Sequence, residues 1–233
     1  MNDIPSAELI DALSKTFEKK NGDIKQVLIT LVSSPEFWSG SALRNKTKSP
    51  FELAISAIRT LNAEIEQPYQ LYKWITRMGE QKYFYQAPTG FPDKGQYWIN
   101  TGSLLNRMNF GLALADRRVP GVKFDLLALN KNHEPESAEN ALLVYSQLMM
   151  PERSIDETIH RLTPLLSDPK LQEKIDQEAE GSAMDNKMIL ADSLHDEAEE
   201  IKNKRVTKKE MQDSYRLSQV VGILIGSPEF QRR

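Results

Sequence analysis

The chain carries, late in its sequence, the stretch LSQVVGILIGSPEF, which runs from Leu217 to Phe230. The run up to Pro228 is apolar and uncharged, which predicts a helix, and it is too short to span a bilayer. Ser227 is placed to cap a turn that begins at Pro228, because a serine oxygen accepts backbone N–H groups and proline suits the first position. Glu229 then lies near the positive end of that turn, and Phe230 is free to pack back.

A second stretch repeats this pattern, since IKQVLITLVSSPEF, from Ile24 to Phe37, aligns with it position by position. Gln, Val, Leu, Ser, Pro, Glu and Phe coincide. The repeat has three interpretations: a duplicated recognition element, a helix-stop signal used twice, or two helices that pack in one core. We favour the last two, because two copies are fewer than a repeat array needs for stability.

Helix signals recur along almost the whole chain, while alternating β-branched and polar residues are almost absent. The segment Ser49-Pro50-Phe51-Glu52 combines a capping serine, a proline at the first helical position and a returning carboxylate. We therefore predict an all-α bundle of about ten helices. Residues 1–233 would form a single helical module, with 1–130 and 131–233 as possible sub-parts. Further helix starts are predicted after Ser6, Asp23, Asn100 and Ser137.

Apolar stripes predict which face each helix buries. In the helix that follows Asn100, the residues expected to face the core are Leu104, Leu105, Met108 and Leu112. In the helix that follows Asp23, they are Ile24, Val27, Leu28 and Leu31.

Residues 80–100 are the one long exception to the helical pattern. They contain two prolines and two glycines, and no helical period runs through them. Disordered segments are poor in aromatic residues, whereas this one is rich in them, so we predict an ordered loop. Its aromatic residues are Tyr83, Phe84, Tyr85, Phe91, Tyr97 and Trp98.

Composition narrows the classes of function. The absence of cysteine excludes disulfides, thiolate metal sites and a cysteine nucleophile. The net charge of −3 gives no basic excess for sequence-independent binding of nucleic acid. The chain shows neither a membrane-spanning run nor a signal peptide, so we expect a soluble protein. An exported or periplasmic location stays open if an N-terminal part is missing.

Several short motifs occur in the order found in one bacterial family. They are SSPEFW (33–38), KSPFEL (48–53), AIR (57–59), PTGFPD (88–93), WINT (98–101), LLNRMNF (104–110) and GSPEFQ (226–231). In this order they resemble the C-terminal part of the family catalogued as domain of unknown function 1800.

The resemblance implies a bacterial protein, part of a longer chain, with no established activity and no assigned catalytic residues. Val119–Arg205 carries none of the motifs. Phe91 stands where the family usually has tryptophan, which keeps an aromatic ring but loses an N–H donor.

No common catalytic signature occurs in the sequence. The Gly-x-Ser-x-Gly elbow, the phosphate-binding glycine loops and the His-Glu-x-x-His pair are all missing. We therefore predict no cofactor and lean against an enzyme, although a site assembled from distant residues stays open.

His195 is a weak candidate for a metal ligand. Asp192 and Glu199 lie three and four residues away on the same helix face, and this donor set suits a divalent ion. A solvated acidic helix edge explains the same residues, and we favour that interpretation.

The loop at 80–100 is the best candidate for a binding site, because flat aromatic faces beside amides and charges suit a sugar or peptide. In a second interpretation, its aromatic residues point inward and fix the loop on the helices, with Asp93 and Arg107 as a structural ion pair. We favour the second. The candidate ligand-binding residues are Tyr85, Phe91, Asp93, Trp98, Asn100 and Arg107.

The sequence therefore predicts a non-catalytic helical module that acts through interaction or as a structural part of a larger protein. Its partner would be another protein or an envelope polymer. The alternative is a glycan- or peptide-binding protein, or a hydrolase, with its site under the loop.

Overall fold

The computed structural model describes residues 4–40, 44–151, 153–166 and 208–233, with side chains of the last range given from Arg216 onward. These ranges contain nine α-helices, which confirms the all-α prediction. Residues 167–207, to which the predicted helical pattern also extends, lie outside the described ranges. The bounds are α1 (Ala7–Lys19), α2 (Ile24–Val32), α3 (Pro50–Thr60), α4 (Pro68–Arg77), α5 (Thr101–Ala115), α6 (Leu126–Leu129), α7 (Ala138–Met149), α8 (Asp156–Leu166) and α9 (Lys208–Gly226).

The predicted caps begin the helices where the sequence places them. Ser6 Oγ accepts from Leu9 N at the start of α1. At α3, Ser49 and Glu52 form a capping box, in which each side chain bonds the other residue's backbone N–H. Asn100 and Ser103 do the same at α5. Because these bonds satisfy N–H groups that no helical carbonyl can reach, the helix starts are set locally.

A small sheet joins two connections that the helical pattern left unassigned. Strand β1 (Glu64–Ile65) pairs antiparallel with β2 (Val122–Lys123). Thr47 and Arg232 form an isolated antiparallel bridge, with Lys48 N donating to Gln231 O at 2.8 Å. Two-residue strands show no alternation in the sequence, so only the folded chain shows these pairings.

The core lies around α9, which packs mainly against α5 and also against α7. Apolar side chains of α3, α4, α5, α7 and α9 are removed from water together, which is the main favourable term in folding. The central buried residues are Leu53, Ile58, Leu71, Ile75, Phe110, Leu114, Leu142, Tyr145, Val220, Leu224 and Ile225.

Helices α5 and α9 cross at glycine residues. A Cβ atom added to Gly111 would lie 2.6 Å from the Gly222 carbonyl oxygen, and one added to Gly222 would lie 2.9 Å from Leu112 Cα. One added to Gly226 would lie 3.3 Å from Met108 Cα. The two backbones therefore approach more closely than any other residue type allows.

The buried face of α5 differs from the predicted one. Leu104, Leu105 and Met108 are exposed, and Leu112 is half-buried. The buried face instead carries Arg107, Phe110, Gly111 and Leu114, among others. The stripe prediction is wrong because the face of α5 that packs against α9 is not the one with the largest apolar residues. The close crossing of the two helices needs glycine at its centre.

The hairpin of α1 and α2 lies outside the core. No residue of α2 is buried, and Leu9 is the one buried residue of α1. Of the predicted α2 stripe, Ile24 and Leu28 are exposed, while Val27 and Leu31 are half-buried, so the predicted burial in the core is wrong. The two copies of the repeated stretch therefore do not pack in one core, because only α9 enters it.

The repeated stretch does act twice as a helix-stop signal. Ser34 Oγ accepts from Phe37 N, and Ser227 Oγ accepts from Phe230 N, each at 3.3 Å. Phe230 packs back and is buried, as predicted. Glu36 accepts instead from the N–H and hydroxyl groups of Ser6, so it stabilises the N-terminus of α1.

Replacing Gly111 with alanine should lower the free energy of unfolding by about 1–3 kcal/mol, because the added Cβ meets backbone atoms of α9. Urea denaturation measures this. The matched control is Gly102→Ala in the same helix, where the nearest atom to the new Cβ is 3.6 Å away. The control should be neutral or slightly stabilising. Equal effects of the two substitutions would contradict the importance of the glycine crossing.

Candidate functional site

The loop at 80–100 is fixed at both ends. At its start, buried Glu80 accepts from Phe51 N at 2.7 Å, and its other oxygen is 2.5 Å from Lys82 Nζ. At its end, a 3₁₀ turn (Gly95–Trp98) ends at buried Trp98, whose carbonyl accepts from Ser103 Oγ at 2.8 Å. The loop is therefore attached to α3 and α5.

A row of three rings runs through the loop. Tyr85 and Phe91 have ring centroids 4.6 Å apart, and Phe91 and Trp98 have centroids 5.8 Å apart. The Lys82 ammonium lies over the rings of Phe51 and Phe91. These contacts give the loop its own small apolar packing, with the buried Trp98 ring as its base.

Arg107 does not pair with Asp93, so the predicted ion pair is wrong. Arg107 is fully buried, and its guanidinium donates to Lys48 O at 2.9 Å and to Gln231 Oε1 at 3.3 Å. Asp93 is exposed. The physical reason is the register of α5, which turns Arg107 toward the chain around Lys48 and Gln231 rather than toward the loop tip.

Burial lowers the pKa of Arg107 to about 10, and the negative charge of Glu80 opposes that shift. Arg107 Nε has no hydrogen-bond partner among the described residues. The guanidinium thus serves as a structural clamp that joins α5 to two other segments, and its position leaves it no access to a ligand.

The remaining predicted site residues divide by environment. Asn100 is committed to its cap, since its Oδ1 accepts from Ser103 N at 2.8 Å. Trp98 is buried and Phe91 is half-buried. Tyr85 and Asp93 are exposed. The structure therefore keeps only part of the predicted set on the surface.

The most exposed aromatic side chains of the loop are ones that the site prediction left out. Tyr83 is 100 % exposed, Phe84 67 % and Tyr97 60 %. These three side chains and Tyr85 are the exposed rings of the loop, and we call them the aromatic surface. Their clustering in sequence was visible, but aromatic content alone does not tell an inward ring from an outward one.

The exposed stripe of α5 forms one wall of an apolar groove of about 550 Å³. Leu104, Met108 and Leu112 face Ile223 of α9 and Leu165 of α8 across it. The loop aromatics do not line this groove. The groove and the aromatic surface are thus separate features.

The weak metal candidate formed by Asp192, His195 and Glu199 lies outside the described residues. Within the ranges that the structure describes, no group of three histidine, aspartate or glutamate side chains is arranged to hold a metal ion. His133 and His160 are both exposed.

Within the same ranges, no helix combines the length and apolar character needed to cross a membrane.

The fold and the aromatic surface together define an all-α module with an anchored, outward-facing aromatic loop. The chain belongs to the DUF1800 family of proteins of unknown function, whose family model matches residues 1–232. This match confirms the resemblance and includes residues 119–205, where the short motifs made no assignment. Neither a curated protein nor a solved structure matches the chain.

Replacing Arg107 with methionine should lower the free energy of unfolding by about 1–3 kcal/mol, because Lys48 O and Gln231 Oε1 lose their donor. Hydrogen exchange should rise at residues 46–49 and 230–233. Asp93→Asn is the control and should change the stability by less than about 0.5 kcal/mol, since Asp93 is exposed. A loss of stability in Asp93→Asn as large as in Arg107→Met would contradict this assignment and support an ion pair between Asp93 and Arg107.

Proposed function

We propose that the protein is a non-catalytic interaction module that binds its partner through the aromatic surface. The observation that supports this most is the exposure of Tyr83, Phe84, Tyr85 and Tyr97 on a loop whose base is buried. Large apolar groups exposed on one loop are typical of interaction sites.

The anchoring of the loop favours binding. Trp98 is buried and Glu80 is held by Phe51 N, so the chain on either side of the exposed rings is already ordered. A partner then binds without the full entropic cost of ordering the loop. Tyrosine also combines a flat apolar face with a hydroxyl group, which suits a surface that is exposed when free.

The polar chemistry of the loop favours an uncharged polymer, and we take a glycan chain as the ligand class. Glu80 pairs with Lys82, and the remaining charges, Asp93 and Lys94, are of opposite sign. Exposed Gln86 and Gln96 add amide donors and acceptors beside the rings. A glycan of the cell envelope would require the protein to be exported.

We favour binding over hydrolysis. Of the residues that the hydrolase alternative would use, Arg107 is a buried clamp and Trp98 a buried anchor. The acidic group left on the loop is Asp93, which lies on the surface rather than under the loop.

The test is binding of the full chain to β-linked glucan, xylan, chitin oligosaccharides and peptidoglycan, with a peptide library beside them. Combining Tyr83→Ala with Tyr97→Ala should weaken binding about tenfold, because each ring contributes stacking contacts. Tyr69→Ala is the control, since Tyr69 is as exposed as Tyr97 but lies on α4. It should bind as the wild type does.

Circular dichroism and urea denaturation should show the same fold and stability in all three proteins. Binding by the double variant as strong as that of the wild type would contradict the proposed role of the aromatic surface. Binding to peptides alone would contradict the glycan class while leaving the surface in place.

A further inference from the structure

A cleft of about 310 Å³ opens on another part of the molecule, between the chain before α3, the end of α7 and the residues after α9. Four cationic side chains line it, and we call it the cationic cleft. Ser56 and Thr60 of α3 add hydroxyl groups to its wall. The four cations are Arg44, Lys48, Arg153 and Arg233.

Lys48 is the best-positioned cation of the cleft. Its Nζ donates to Phe230 O at 2.7 Å and to Ser56 Oγ at 2.8 Å, and it lies 4.2 Å from the centroid of the Phe230 ring. An ammonium group has three hydrogen-bond donors. The described residues supply two acceptors, Phe230 O and Ser56 Oγ. The group is held in place with one donor left for a ligand.

Two arginines are fixed around Lys48, Arg153 by uncharged carbonyl groups and Arg233 by an ion pair that offsets part of its charge. Arg153 donates to the backbone carbonyls of Glu229 and Arg232, neither of which carries a charge. The Arg233 guanidinium binds Glu52, and the Arg233 backbone N–H donates to Lys46 O at 2.8 Å. Lys48, Arg153 and Arg233 are thus held in place before any ligand arrives, which reduces the cost of binding.

The cations of the cleft repel one another. The pKa of Lys48 is lowered to about 8 by burial and by the charge of Arg153, against a smaller opposing effect of Glu52. The pKa of Arg153 is also lowered, by burial and then by Arg44. No carboxylate is among the described residues that line the cleft. This concentration of positive charge occurs in a chain whose net charge is −3, so it is not a consequence of composition.

We propose that the cationic cleft binds a phosphoryl group, either of inorganic phosphate or of a small organic phosphate. A phosphate dianion offers several acceptor oxygens to Lys48, the arginines and the hydroxyls of Ser56 and Thr60 at once. Its charge offsets the repulsion inside the cluster. Met150 and Phe230, which also line the cleft, offer apolar surface to the organic part of an ester.

The first measurement is a calorimetric titration of the full chain with inorganic phosphate, a sugar phosphate and a nucleoside monophosphate. The unphosphorylated sugar serves as the ligand control. The phosphates should bind and the sugar should not; tighter binding of one ester would identify the organic source. Absence of binding of all three phosphates at about 10 mM would overturn the proposal.

Lys48→Met should weaken phosphate binding at least about tenfold, because it removes a charge-assisted hydrogen bond. Because Lys48 also contacts Phe230 and Ser56, Lys48→Met could weaken binding through an effect on folding. A second variant separates that effect from a direct loss of phosphate binding. Arg233→Gln changes an exposed side chain and should weaken binding about threefold. The control is Lys25→Met, an exposed lysine on α2, which should bind as the wild type does. Unchanged affinity in both cleft variants would overturn the proposal.

The affinity for phosphate should also fall as the pH rises from about 8 to about 10, because Lys48 then loses its positive charge. The charged groups that act on Lys48 are Arg153 and Glu52, with Arg44 and Arg233 also on the cleft wall. In Lys48→Met the fall should disappear. Constant affinity of the wild type across this pH range would contradict the proposal that a phosphoryl group binds at Lys48.

Discussion

The close crossing of α5 and α9 is the constraint on which the rest of the fold depends. Gly111 and Gly222 allow the two backbones to meet, and this contact places Val220, Leu224 and Ile225 at the centre of the core. Helix α7 packs on α9 in turn. Dispersion forces decline steeply with separation, so a crossing without side chains between the backbones gives each neighbouring residue more contact. The position of α9 then determines where the chain after it can lie.

The residues after α9 connect the core to both candidate binding features, the aromatic surface and the cationic cleft. Gln231 and Arg233 pair with the backbone around Lys48, and Arg107 of α5 joins Lys48 O to Gln231. The backbone of Lys48 therefore faces a buried clamp, while its ammonium group faces the cationic cleft. Helix α5 also begins at the anchored end of the aromatic loop. The packing of α5 against Lys48 and the residues after α9 thus positions two surfaces, one aromatic and one cationic.

The repeated stretch shows how far sequence similarity determines structure. Ser34 and Ser227 make the same capping bond, because that bond needs only residues three positions apart. Beyond the cap the copies differ. Phe230 is buried whereas Phe37 is half-buried against Trp38, and Glu36 caps α1 whereas Glu229 binds Arg161. Whether an apolar helix is buried depends on which other elements pack against it, and among the described residues α2 packs mainly against α1.

The sequence by itself determined the helix class, the helix starts at Ser6, Ser49 and Asn100, and the irregular loop, since these depend on hydrogen bonds and backbone preferences within a few residues. It also showed the family through the order of short motifs. Only the tertiary structure decided which face of α5 is buried, that Arg107 binds Lys48 O rather than Asp93, and which loop rings face outward. Those outcomes depend on residues far apart in the chain, such as Gly111 with Gly222 and Arg107 with Gln231, whose proximity no local pattern encodes.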